Sequence, residues 1–162
     1  MPRIKTLVIP ADEDQDMYVL ELEQGDTNKM REVIGGWFGA SEGQQIPVAF
    51  WYHDEGKIIN LPQNDRATLM WWASDKRFWN FDYLAGDVLV TGMADGEGNT
   101  LTCPDEFLDL ALKTDGVGFR ISAGLNTVTS QFRGSYIDVL VMAVTLATNN
   151  GAVTGFEVFA DT

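Results

Sequence analysis

Cysteine and histidine are nearly missing from this chain: Cys103 and His53 are the only ones. A single cysteine rules out an intrachain disulfide and CxxC zinc or thioredoxin-type sites. Beside Pro104, near an expected helix start, it reads as a small core residue. A single histidine removes two-His zinc motifs and leaves little room for a Ser-His-Asp triad. Long apolar runs are missing too. No window comes near the ~20 apolar residues that a membrane span needs, and the run from Ile4 to Ile9 is too short for the core of a secretory signal. The expectation is a cytoplasmic protein with no membrane partner. Basic residues are scarce, 11 Lys plus Arg against 24 Asp plus Glu, for a net charge of −13. That balance argues against a nucleic-acid polymer as the main partner.

What is present describes an ordinary globular protein of 162 residues, 45% hydrophobic and 22% charged. Strands are expected over residues 3–9, from Met17 to Leu22, from Ile46 to Tyr52 and over 87–92, with Lys57-Ile58-Ile59 as a short hairpin partner. Asp26 or Thr27 caps an expected helix over about 28–38, and the Gly35-Gly36 pair marks its end or a close backbone approach. Asn64 or Asp65 caps a second helix through Trp72, and Pro104-Asp105-Glu106 opens a third, to Lys113. Beyond residue 115, Val117 to Ile121, Ser135 to Leu146 and Ala152 to Phe159 are β-branched and aromatic-rich. Asn149-Asn150-Gly151 reads as a hairpin turn between the last two. The expected fold is α+β, with a mixed or antiparallel sheet and two or three short helices. Residues 1–115 form its α+β domain and 116–162 a β-rich C-terminal part.

Several segments carry a resemblance. Met30-Arg31-Glu32-Val33-Ile34-Gly35-Gly36-Trp37-Phe38 is followed by Asp54-Glu55-Gly56-Lys57, by Leu61-Pro62-Gln63-Asn64-Asp65-Arg66-Ala67-Thr68, and by Leu84-Ala85-Gly86-Asp87-Val88-Leu89-Val90-Thr91-Gly92. In that order they are similar to the domain of unknown function family numbered 3846, over about residues 4–94. The resemblance implies a setting more than a reaction: a small accessory protein of phages or mobile elements, acting in the bacterial host cytosol and binding host factors.

The densest local feature lies between Trp71 and Tyr83. Trp71, Trp72, Phe78, Trp79, Phe81 and Tyr83 place six aromatics in thirteen residues. Arg66, Lys76 and Arg77 sit in or beside this run. Aromatic faces stack bases and cations hold phosphates. One reading is therefore a nucleotide pocket in which Arg66, Lys76 and Arg77 bind phosphate, Trp71, Trp72 and Trp79 stack a base, and Asn64 hydrogen-bonds the ligand. The plainer reading is a packed core or an interface between copies, and the aromatic surplus points to a homo-oligomer.

Other motifs carry less. Asp12, Asp14, Asp16 and Glu23 mimic the spacing of a calcium loop, but Met17 stands where the sharp turn needs glycine. Gly92 to Gly98 lacks the Lys-Ser/Thr of a phosphate loop. His53-Asp54-Glu55 reads as a structural turn. Neither a catalytic set nor a cofactor or metal motif stands out. The functional expectation is a non-catalytic accessory protein that captures a host factor, first of all a nucleotide-derived antiphage defence signal. The alternative is an acidic protein–protein inhibitor of a basic host protein, in the extreme a DNA mimic. The acids come in clusters, with residues 1–30 summing to −4, 31–84 to −2, 85–115 to −6 and 116–162 to −1.

Overall fold

A computed structural model describes residues 2–161. Five antiparallel strands build the larger sheet, in the order β2-β1-β5-β4-β3. They are β1 (Arg3–Ile9), β2 (Tyr18–Glu23), β3 (Phe38–Glu42), β4 (Val48–His53) and β5 (Val88–Gly92). Every residue of β5 is buried, as a central strand with both faces covered requires.

The two faces of the sheet are covered differently. Ile4, Val8, Leu22 and Leu89 meet Met30 and Ile34 of helix α1 (Thr27–Ile34). The Asp26 carboxylate caps α1 by accepting from the Lys29 N–H at 3.0 Å. Gly35 ends it at φ +93°, a left-handed conformation open to glycine at little cost. On the opposite face, Leu7, Ile9, Val48, Phe50, Val88 and Val90 join the main core. There they meet helix α2 (Asp65–Ser74), helix α3 (Asp105–Ala111) and helix α4 (Tyr136–Thr148).

The smaller sheet follows the order β7-β6-β8, from β6 (Val117–Ala123), β7 (Asn126–Thr129) and β8 (Gly155–Ala160). It packs on α4, which in turn lies against α2. Val117, Phe119, Val139 and Val144 share one buried cluster with Leu7 and Phe50, so residues on both sides of position 115 close a common core.

The fold is α+β, as expected, with both sheets wholly antiparallel. Three local expectations are corrected. Residues Ser135 to Leu146 do not form a strand. Ser135 caps α4, its hydroxyl accepting from the Asp138 N–H at 3.2 Å, and Tyr136, Val139, Leu140, Ala143, Val144 and Ala147 share its buried face. That helical spacing overrides the β-branched composition. Accordingly, Asn149-Asn150-Gly151 turns the chain out of a helix and not between two strands. Finally, Lys57-Ile58-Ile59 is a turn. β4 already pairs with β3 on one side and β5 on the other, which leaves it no free edge for a further partner.

Candidate functional site

Asn64 begins α2 and is fully buried. Its side-chain oxygen accepts from the Ala67 N–H at 3.0 Å, while its amide nitrogen donates to the Ile9 carbonyl at 2.8 Å and the Gly86 carbonyl at 2.9 Å. One residue therefore caps a helix and ties it to two neighbouring segments. Arg66, two residues on, donates from a single guanidinium nitrogen to the carbonyls of Pro10, Asp12 and Gln15, at 2.7, 3.1 and 2.8 Å. It holds the acidic 11–16 turn in place.

The remaining residues of the aromatic segment form a strap across the end of α2. Trp71 is 4% exposed, donates to the Ser41 hydroxyl at 3.1 Å and stacks on Phe78, with ring centroids 3.9 Å apart. The Trp72 indole donates to the Asp82 carbonyl, and the Trp79 indole donates to the Trp72 carbonyl. Trp79 also lies 5.5 Å from Phe156 of β8, and Lys76 donates to the Thr154 carbonyl at 3.2 Å. The strap thereby links α2 to the smaller sheet. Arg77 forms a two-pronged pair with Asp75, at 3.0 and 2.7 Å, over a carboxylate that is 1% exposed. Its hydrogen bonds hold the Asp75 carboxyl below the usual carboxylate range, against the opposing effect of burial.

The seven residues Asn64, Arg66, Trp71, Trp72, Lys76, Arg77 and Trp79 do not line a common cavity. Arg66 and Trp72 border one groove between α2 and α4, and Trp71 borders a different cleft. Every indole N–H of the three tryptophans already has an acceptor inside the protein.

The cleft beside Trp71, of about 430 Å³, gathers most of the nearby chemistry. The Trp71–Phe78 stack and Tyr83 supply aromatic surface. Tyr52 and His53 come from the end of β4, Asp54 and Lys57 from the turn behind it, and Asp82 from the strap. Lys57 pairs with Asp82 and lies 4.5 Å from the centre of the Tyr83 ring. Asp54 has no cationic partner among the described residues. Two carboxylates against one ammonium leave the cleft acidic. The Tyr52 hydroxyl registers this, for its pKa is raised by burial first and then by Asp54 and Asp82, against the opposing Lys57. The imidazole Nδ1 of His53 accepts from the Glu55 N–H at 3.0 Å, which closes the turn.

Sequence reasoning missed Tyr52, Asp54, Lys57 and Asp82 as a group, because β3 and the packed 54–60 turn bring them together from distant positions. The available signal was Asp54-Glu55-Gly56-Lys57 beside an aromatic strand end. Cys103 is fully buried, and burial together with Asp105 pushes its thiol up to about 12, so it stays protonated at neutral pH. Among the described residues, no group of three or more His, Cys, Asp and Glu side chains is placed to hold a metal ion, and no helix is long and apolar enough to cross a membrane.

Residues 4–114 match the family described as Domain of unknown function (DUF3846), and the chain belongs to it. The match runs some twenty residues past the resemblance read from the sequence, through α3. No curated protein and no solved structure matches the chain.

Proposed function

We propose that this member of the DUF3846 family is a non-catalytic binding protein that captures a basic host protein, taking a lysine or arginine side chain of that partner into the cleft beside Trp71. The observation that carries this reading is the pairing of Asp54 and Asp82 with aromatic walls, where Lys57 is the one opposing cation. An aliphatic stem packs on the aromatic faces and its charged head meets the carboxylates. The rest of the molecule favours the same partner. Among the described residues, seven ion pairs engage seven of the 24 acids and seven of the 11 bases, and Arg66 and Lys76 are directed to main-chain carbonyls. A phosphate receptor needs free cations. Arg66, Lys76 and Arg77 all have partners within the protein, so this geometry favours the acidic-inhibitor reading over nucleotide capture. The setting we propose is that of a phage or mobile-element accessory protein in the bacterial cytosol.

The test is an NMR titration with N-acetyl-arginine amide and, separately, with adenosine monophosphate. Arginine amide is expected to shift the Trp71 indole and His53 ring signals, with affinity that falls as salt is raised and drops in Asp54→Asn. A response to the nucleotide and none to the arginine amide would overturn the proposal in favour of nucleotide binding.

A further inference from the structure

β8 is an open edge of the smaller sheet. In its register with β6, Glu157 pairs with Arg120 and Phe159 with Gly118, and the Asp161 N–H donates to the Gly116 carbonyl at 2.9 Å just beyond the strand. Hydrogen-bonded pairs alternate along an antiparallel ladder. Residues 155, 157 and 159 thus point their backbone groups at β6, while Phe156, Val158 and Ala160 point theirs outward. The opposite parity in β6 agrees, because the Phe119 carbonyl accepts from the Ser130 N–H on the β7 side. No strand, loop or side chain among the described residues takes up the outward groups of β8. Unpaired edges of this kind are normally blocked or covered.

Beside this edge lies a groove of about 810 Å³. Phe156 and Val158 of β8 line it with Ile46, Pro47, Phe107 and Leu110, and Arg120 of β6 lines it as well. Tyr136 also lines it and is 3% exposed. Its hydroxyl has no hydrogen-bond partner among the described residues, and burial alone accounts for the raised pKa of the group. That hydroxyl is open to a group brought into the groove, to which it can donate or from which it can accept. Glu106 and Glu157 stand at the rim, and only Glu157 is paired, to Arg120 at 3.7 Å.

We propose that the β8 edge and this groove form a second binding site, which takes an extended segment of a partner protein as a fourth strand of the smaller sheet. The segment is apolar at alternate positions, which face the groove, and basic at positions between, one of which meets Glu106, the rim carboxylate without a cationic partner among the described residues. Main-chain bonds to Phe156, Val158 and Ala160 supply affinity and the groove supplies selectivity, as in other strand-addition sites. A second copy of this chain fits less well, since at a net charge of −13 it is repelled by an acidic rim. The site does not depend on the cleft beside Asp54, and Asp54→Asn is expected to leave it unchanged.

The probe is a short synthetic peptide of alternating valine and lysine, followed by amide hydrogen exchange. Saturating peptide is expected to slow exchange at Phe156, Val158 and Ala160 by at least about tenfold, consistent with capture of exposed amides. Val158→Pro removes one outward donor at an edge position where proline is tolerated, and Glu106→Lys reverses the rim charge with the edge intact. Each is expected to weaken peptide binding about tenfold or more, by loss of the strand bonds or of the charge match. Protection at β7 in place of β8, or no protection at either edge, would overturn the proposal. So would protection of β8 without peptide that grows with protein concentration, because a second copy would then be the occupant. If Val158→Pro does not fold, the wild-type exchange pattern and Glu106→Lys decide the matter.

Discussion

The Asn64 side-chain amide donates to the Ile9 carbonyl across 55 positions of sequence, at 2.8 Å and fully buried, while its oxygen caps α2. Replacing it with alanine removes the cap and leaves the Ile9 and Gly86 carbonyls buried without that donor. Asn64→Ala is therefore expected to lower unfolding stability by about 2–4 kcal/mol, read from urea midpoints. Asn64→Asp keeps the cap acceptor but sets a carboxylate against two carbonyls, and it is not expected to rescue the loss.

Arg66 holds the acidic turn through three carbonyls, with its buried Nε left without a partner. Arg66→Ala is expected to cost about 1–3 kcal/mol and to speed amide exchange over residues 11–16. Arginine-amide binding at the Asp54 cleft should be unchanged. Loss of that binding with stability intact would instead place Arg66 in a ligand site.

The Asp75–Arg77 pair makes stability depend on acid. The folded pKa of Asp75 lies below its usual 3.8, so the unfolded chain binds its proton first as pH falls. The contribution is complete above that value and is lost as pH drops through the folded pKa. Stability measured from pH 5 to pH 2 is expected to decline less steeply in Asp75→Asn than in the wild type. Equal slopes would mean that Asp75 is not held low.

Gly36 and His53 meet so closely that a Cβ on Gly36 would stand 2.5 Å from the imidazole Nε2. Gly36→Ala is expected to destabilise the protein by about 1–3 kcal/mol through overpacking. The cost should shrink in a His53→Ala background, since the ring is the obstacle. Gly35→Ala meets nothing within 4 Å. Its expected cost, about 1 kcal/mol, comes from the positive φ, and it should not depend on His53.

Much of the larger sheet was legible because its strands are apolar runs bounded by turn formers, as in 3–9 and 87–92. The caps at Asp26 and Asn64 were legible from side-chain chemistry alone. β3 escaped because Phe38-Gly39-Ala40-Ser41-Glu42 has little strand propensity, and pairing with β4 over its whole length makes it a strand. α4 escaped because valine and isoleucine read as strand when counted by composition, although their spacing matched a helix. The aromatic segment was visible as a cluster, but its meaning was not. Whether an arginine meets a phosphate or a carbonyl depends on which distant backbone ends beside it.

The sequence by itself determined the fold class, the family and the excess of acid, because these follow from composition, local pattern and residue order. Tertiary structure decided which charges remain free. It set Asn64 against two carbonyls and a helix start, Arg66 against three carbonyls and Arg77 against Asp75, and it assembled Tyr52, Asp54, Lys57 and Asp82 around an aromatic stack. It also left the outer edge of β8 unpaired beside a groove. The reason is physical: a charge or a backbone group is defined by its nearest partner, and that partner is set by chain crossings tens of residues apart.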